Sequence, residues 1–426
     1  MSRDRSTTAR IDDLDTPVSP ERVVGIATDL LAIDTQNPPG DVREIITYVD
    51  EFLADVGFET ERVVTDPAKP NVIAQQPSQG DLTLLYNGHV DTVPFDANAW
   101  QFDPLGERDG DRVYGRGATD MKGPLAGMLH AAEMLAHRDD PSPVSLAFAV
   151  VSDEETAGDA GVDTLIESTA FDRLTPDACV IGETTCSGDR YSVTVADRGS
   201  IWLTLQATGT AAHGSRPSLG ENAIDRLWEA LSLLRSRLSV RPISIDERLR
   251  PIIDDSVAYY EPTLGVDAAR ALFEHPTVNL GSIEGGEAIN TVPETATAQL
   301  DIRVTAGVET AAVLADIREC LDEFPAVSVA DVSWSVGSYE PIDSPLIDAV
   351  THTASEVVSD RVFRRSATGG GDAKTFRHAG VPTVEFGIGT DTVHAVDEYT
   401  TVGALARNAA VYTRLPAAFA ARYARS

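Results

Sequence analysis

Hydrophobic and polar positions follow two different textures along the chain. Largely apolar runs at residues 82–86, 144–151 and 178–181, and the shorter Thr383-Val384-Glu385-Phe386, read as buried strands, and residues 123–135 and 344–358 carry helical periodicity. Strands that are apolar at nearly every position suit a sheet covered on both faces, as parallel strands joined by crossover helices are. From Arg198 the texture changes. Residues 201–207 alternate like a half-exposed strand, and 221–238 form an amphipathic helix opened by Pro217 and Ser218. Strands at 277–283 and 295–304, a helix at 309–324 and a strand at 327–336 complete a β-α-β-β-α-β order. That is the ferredoxin-like split pattern, a small sheet with helices on one face. The expected fold class is therefore α/β: a mostly parallel-sheet domain from residues 20–197 and 337–426, with an α+β domain inserted at 198–336. Residues 1–19 are expected to be a disordered tail.

Composition narrows the function classes. The chain of 426 residues carries 67 Asp and Glu against 34 Lys and Arg, a formal charge of −33. A body so acidic repels nucleic-acid phosphates and anionic headgroups, so neither nucleic acid nor membrane is an expected partner. Hydrophobic residues at 42% are too many for a disordered acidic chain. The acids are dispersed, without a block of like charge, and lysine occurs only at Lys69, Lys122 and Lys374. Such a surface resembles proteins of a high-salt cytoplasm, where screening removes self-repulsion; an ordinary acidic enzyme is the alternative. Cys179, Cys186 and Cys320 lack metal-type spacing and are odd in number, against a disulfide framework. The N-terminal segment has no apolar h-region and no stretch reaches about 18 uninterrupted apolar residues. The expected location is the cytoplasm.

Chemistry gathers where the buried strands end. Gly88-His89-Val90-Asp91 follows the first, and Gly115-Arg116-Gly117-Ala118-Thr119-Asp120-Met121-Lys122-Gly123 comes after a loop. Asp153-Glu154-Glu155 and Gly182-Glu183-Thr184 follow the next two strands, and His394 to Glu398 follows the last. In an open α/β sheet the carboxyl ends of neighbouring strands share one crevice. Histidines and carboxylates delivered there make a mixed N/O site suited to zinc and related divalent ions. Singly, each has a plainer reading: His89 a hydrogen-bonded structural histidine, Asp91 a turn former, Asp120 a helix N-cap, Glu154 and Glu155 a solvated pair. The coincidence of five segments favours the site. His130, His137, His275, His352 and His378 lack this setting and read as structural.

With His213-Gly214-Ser215-Arg216-Pro217, Gly285-Gly286-Glu287-Ala288-Ile289-Asn290-Thr291-Val292-Pro293 and the Gly-rich loop at Gly369, the segments stand in one family's order over nearly the whole chain. The sequence resembles the co-catalytic zinc amidohydrolases and peptidases, which include acetylornithine deacetylase, succinyl-diaminopimelate desuccinylase, aminoacylase and glutamate carboxypeptidase. The resemblance implies two divalent ions, zinc first and cobalt or manganese as alternatives. One is held by His89 and Glu183, the other by Glu155 and His394, and Asp120 bridges them. Such a pair binds a shared water, lowers its pKa and polarises the substrate carbonyl. Asp91 takes the other imidazole N–H of His89. Glu154 is the general base, an assignment from the family pattern that spacing alone does not decide.

The resemblance also makes the inserted domain a lid and dimerisation domain. His213 stabilises the oxyanion, in the family usually from a partner subunit. Arg303 and Asn290 grip a substrate carboxylate. Arg198 either meets substrate at the hinge or serves surface solubility, and Gly370 belongs to a loop whose N–H groups line the carboxylate end. That loop is not a phosphate loop, because Ala373 stands before Lys374 where glycine is needed. A dinucleotide fingerprint and a Gly-x-Ser-x-Gly elbow are missing too. The stretch 240–275 exceeds what the compact family members need; it is a loop shaping access or the dimer edge, or inert. The expected activity is metal-dependent hydrolysis of the amide bond of an N-acyl amino acid by a homodimer. Alternatives are a carboxypeptidase or dipeptidase on the same site, and an inactive metal-binding homologue, which the intact residue set disfavours.

Overall fold

The computed structural model describes residues 18–76, 80–137, 144–186 and 188–425. The expected tail lies outside the described residues except for Val18 and Ser19. Ser19 is the N-cap of the helix Pro20–Leu31, its hydroxyl accepting from Arg22 N–H, and Pro20 opens the helix where an N–H would be unpaired anyway. The chain forms two compact units. The first comprises the described residues up to Val195, Ile342–Arg364 and those from Gly371 onward; the second comprises Ala196–Pro341 and Arg365–Gly370.

The first unit is built on an eight-stranded mixed sheet. Val144–Val151, Leu82–His89, Ala178–Ile181 and Thr383–Glu385 run parallel side by side at its centre. All eight positions of Val144–Val151 are buried, which is why its sequence is apolar on both faces. Glu59–Val63, Asn71–Gln75 and Tyr191–Ala196 pair antiparallel around this centre. Glu59–Val63 is largely exposed and carries no apolar period, so its sequence gives no strand signal. The helix Lys122–Ala136 packs against the long helix Val402–Tyr423, and Gly127 lets them approach, since a Cβ there would sit 3.0 Å from that of Asn408. Two buried tyrosines tie the second helix to the sheet: Tyr86 donates to the Tyr412 carbonyl at 2.6 Å, and Tyr412 to the Phe386 carbonyl at 2.5 Å.

The second unit has a four-stranded antiparallel sheet in the order Thr277–Gly285, Thr295–Val304, Gly199–Thr208, Val327–Ser335. Ile201, Leu203, Leu205 and Ala207 alternate into a core with Leu227 and Leu231 of the helix Ala223–Val240 and Ile317 of the helix Thr310–Leu321. The β-α-β-β-α-β order expected from the sequence is present. The stretch read as a long loop differs: it holds two helices, Arg250–Leu264 and Val266–Glu274. Their spacing buries Ile253, Val257, Ala269 and Phe273 in a small core of their own. Pro251 and Pro262 masked the helical period, yet Pro251 sits in the first turn, where proline fits. Gly265, at φ +78, makes the break between them. No helix among the described residues is long and apolar enough to cross a membrane.

Candidate metal centre

Three of the four strands of the parallel centre each deliver a part of a polar cluster in the first unit. His89 is the last residue of Leu82–His89, Glu154 and Glu155 follow Val144–Val151, and Glu183 follows Ala178–Ile181. Asp120 lies just before the helix Lys122–Ala136, but Met121 occupies the N-cap position, so the capping reading of Asp120 does not hold. His394 (φ 61) and Asp153 (φ 65) sit in the left-handed region, backbone that non-glycine residues adopt only at a cost.

The five ligand-type side chains sequence reasoning singled out come together. His89 Nε2 lies 3.2 Å from Glu183 Oε1 and 3.3 Å from Asp120 Oδ1. His394 Nε2 lies 3.2 Å from Asp120 Oδ2 and 3.1 Å from Glu155 Oε2. Asp120 thus turns one oxygen to each histidine. Ligand atoms of His89, Asp120 and Glu155 all fall within 4.8 Å of one another. Two imidazoles and several carboxylates converging in this way fit a divalent cation of the zinc, cobalt or manganese kind.

The protonation pattern is that of a cluster whose negative charge must be offset. Burial alone would raise Asp120, yet hydrogen bonds from His394 and His89 hold it well below the usual carboxylate range. His394 is pushed up to about 10 by its contacts with Asp120 and Glu155. His89 is raised well above its ordinary value because Asp120, Asp91 and Glu183 outweigh its burial. Burial and the neighbouring Asp120 push Glu183 well up, and burial with Asp120 and Glu155 raises Glu154 to about 7. Bound cations would take the place of these protons.

Asp91 acts differently from the expected imidazole acceptor. Its backbone carbonyl is the nearer partner of His89 Nδ1, at 2.9 Å, and its carboxylate Oδ1 stands at 3.5 Å. The carboxylate instead accepts the N–H groups of Glu154 and Glu155, both at 3.2 Å, and the Asn37 amide at 2.9 Å. Either way Nδ1 keeps a proton, so Nε2 is the nitrogen whose proton a cation would replace.

Several residues around the cluster have partners that the sequence does not indicate. Glu398 accepts the backbone N–H groups of Thr119 and Asp120, and pairs with buried Arg116. Asp372 is pushed well above its ordinary value by burial and by the charge of Glu154. Gly371 also borders Glu154: a Cβ there would lie 3.4 Å from Oε1. Lys122 is buried, donates to the Ile33 carbonyl at 2.8 Å, and is lowered to about 7 by burial. No spacing in the sequence reveals these partners, because each pairs across a long chain separation.

His213, Asn290, Arg303, Arg198 and Gly370 belong to the second unit. His213 is exposed, and its Nδ1 accepts the Ser215 N–H at 3.1 Å, which puts the ring proton on Nε2. Its backbone bridges to Thr291, and Gly214 N–H donates to the Asn290 carbonyl at 2.6 Å, so His213 and Asn290 are neighbours. Arg303 forms a forked pair with Asp301, at 2.7 and 3.0 Å. Arg198 is only 2% exposed and donates to the Arg303 carbonyl at 2.8 Å. Burial lowers it to about 10, so the surface-solubility alternative does not apply. Gly370 is exposed, and the carbonyl of its neighbour Gly369 accepts the Arg198 N–H at 3.3 Å.

Residues 85–418 match the sequence family described as Peptidase family M20/M25/M40. Succinyl-diaminopimelate desuccinylase of Parvibaculum lavamentivorans is 31% identical over 423 residues, covering 95% of this chain and 98% of the relative. Acetylornithine deacetylase of Vibrio atlanticus is 30% identical over 347 residues, covering 78% and 82%. Among solved structures, an M20 family metallo-carboxypeptidase from Sulfolobus solfataricus superposes with a TM-score of 0.77 at 19% identity, over 94% of this chain and 99% of the other. Human carnosine dipeptidase 1 gives 0.68 at 18% identity, over 94% and 97%. At these identities the structural likeness concerns the fold.

Proposed function

Because the chain belongs to peptidase family M20/M25/M40 and is a hydrolytic metalloenzyme, we propose that it cleaves the amide bond of an N-acyl amino acid. One observation carries this reading: beside five converging ligand-type side chains stands a carboxyl, Glu154, raised to about 7. A general base works best when its pKa lies near the working pH.

The split of Asp120, one oxygen facing His89 and the other His394, supports a bridging role between two ions. His89 and Glu183 would hold one ion, and Glu155 and His394 the other, zinc being the first candidate. Divalent ions held there would supply Lewis-acid chemistry, acidifying a water and polarising the scissile carbonyl. Glu154 would take the proton from the attacking water and return it to the departing amine. The His213 tautomer, with the proton on Nε2, suits donation to an oxyanion. Arg303, Asn290, Arg198 and Gly370 are assigned to the substrate carboxylate. Asp301 holds the Arg303 fork in this structure, so a bound carboxylate takes over that fork in place of Asp301. The same reading makes the protein a cytoplasmic homodimer joined through its second unit, on the strength of the family resemblance.

A second reading, a carboxypeptidase or dipeptidase, draws support from the names of the structural relatives. Both are tested by incubating the protein, loaded with zinc, cobalt or manganese, with N-succinyl and N-acetyl amino acids and with dipeptides. Amine release from the acyl amino acids alone supports the first reading, and release from dipeptides alone the second. No release from any of them would refute both.

A further inference from the structure

Lys69 lies in the link between the strands Glu59–Val63 and Asn71–Gln75, far in sequence from every metal-ligand candidate. Its ammonium nevertheless contacts Asp153, the residue just before Glu154. The two side chains are only 16% and 6% exposed, so this is no solvated surface pair. Asp153 Oδ1 also accepts the Asn37 amide at 2.8 Å and the Thr156 hydroxyl at 2.9 Å. The same Asn37 nitrogen reaches Asp91 Oδ2 at 2.9 Å, and Asn37 Oδ1 lies 3.4 Å from Lys69 Nζ. Two buried carboxylates therefore share one amide, with one cation behind them.

The backbone is arranged around this contact. Ser152 N–H and hydroxyl both meet Asn71 Oδ1, at 2.9 and 3.2 Å, and the hydroxyl lies 3.0 Å from the Lys69 carbonyl. The segment 69–71 thus grips the chain just before the base. Gly40, at φ +77, leaves room for the lysine stem, since a Cβ there would lie 2.6 Å from Lys69 Cε. Positively charged side chains are scarce in this chain, and lysine especially so.

We propose that Lys69 is a positioning residue of the metal centre: through Asp153 and Asn37 it fixes Asp91, and Asp91 in turn fixes the His89 ring and the peptide N–H groups of Glu154 and Glu155. The inference rests on the metal reading above. Without the ammonium, two facing carboxylates repel across a single amide in a poorly solvated place, and Asp91 loses its orientation. Outer partners of metal ligands contribute on the order of 10- to 100-fold to metal affinity or activity.

The test compares wild type, Lys69→Met, Asn37→Ala and the double variant. Zinc affinity is read by competition with a chromophoric chelator, and kcat and KM on the best substrate of the panel. Lys69→Met is expected to weaken zinc binding and lower kcat by about tenfold or more, with KM nearly unchanged. Because both residues act through Asp91, the double variant is expected to be little worse than the poorer single one. Wild-type zinc affinity and kcat in Lys69→Met overturn the proposal, and so do effects that simply multiply. Should Lys69→Met not fold, Lys69→Gln takes its place; failure of both to fold even with zinc makes the role purely structural and the proposal wrong. If wild type itself binds no zinc, cobalt or manganese, the metal reading falls and takes this inference with it. Binding by wild type with unaltered binding by the variant sinks the inference alone.

Discussion

Arg116 Nη1 donates to Glu398 Oε2 at 2.6 Å, joining residues 282 positions apart in a pair that is 5% and 0% exposed. The other Glu398 oxygen accepts the Thr119 and Asp120 N–H groups at 2.9 and 3.1 Å, and Arg116 Nη2 reaches the His394 carbonyl at 3.4 Å. One ion pair thus connects the peptide that carries Asp120 to the peptide that carries His394. Removing one partner leaves a buried charge uncompensated, which costs roughly 3–5 kcal/mol. Arg116→Met is expected to lose about that much in urea denaturation of the metal-free protein, and to bind zinc more weakly. Unaltered stability would mean that water reaches Glu398 and that the pair is ornamental.

Glu154 is expected to separate proton transfer from metal binding. Glu154→Gln keeps the side chain's shape but cannot take a proton, so kcat should drop by about 10²- to 10⁴-fold. Zinc content and KM should stay near wild type, because Glu154 is assigned no metal. The base must be deprotonated to act, so kcat/KM should fall as pH drops below the Glu154 value, about 7 without metal and lower beside bound cations. A variant that retains wild-type turnover would move the base elsewhere, with Asp372 the first place to look.

Metal binding should release protons. His394 without metal is raised from 6.5 to about 10 by Asp120 and Glu155. At neutral pH an ion must therefore displace its proton, and affinity should climb with pH toward 10. Calorimetric titration with zinc in buffers of different ionisation enthalpy would reveal the released proton as a buffer-dependent heat. The same shift affects the metal-free fold in the opposite direction. A raised folded-state value contributes stability that is complete below about 6.5 and lost as pH rises through about 10. The side chain is 49% exposed, so solvent screening makes this contribution small. Metal-free protein should therefore melt slightly lower at pH 10 than at pH 6.5, and zinc-loaded protein should not follow that trend.

How legible all this was depends on the range of the interaction that decides each feature. The central strands were readable because Val144–Val151 is buried on both faces and is apolar at every position but Ser145. Glu59–Val63 was not, since it is held by pairing with Asn71–Gln75 rather than by burial. The ligand cluster was readable because the carboxyl ends of parallel strands bring His89, Glu155 and Glu183 to one edge. Its supports were hidden: Lys69 with Asp153 and Arg116 with Glu398 are partners fixed by tertiary packing, with no local period to announce them. Met121, and not Asp120, occupies the N-cap position, which shows the limit of local rules where a carboxylate is committed elsewhere.

The net charge of −33 sets two salt effects against each other. Exposed pairs such as Arg43–Asp41, Arg108–Glu21 and Arg248–Asp246 weaken when salt screens them, which lowers stability. Each such pair contributes little, about 0–1 kcal/mol. Repulsion among the excess acids acts over the whole surface, and it is relieved as the screening length shrinks from about 10 Å at 0.1 M to about 3 Å at 1 M. The second effect should win. Melting temperature and activity are therefore expected to rise when potassium chloride increases from dilute buffer into the molar range, with metal content held constant. Potassium chloride is the salt to use, because sulfate would strengthen apolar burial in any protein. Full activity and an unchanged melting temperature in dilute buffer would show that the acids are spaced widely enough to coexist without screening, and would remove the argument for adaptation to high salt.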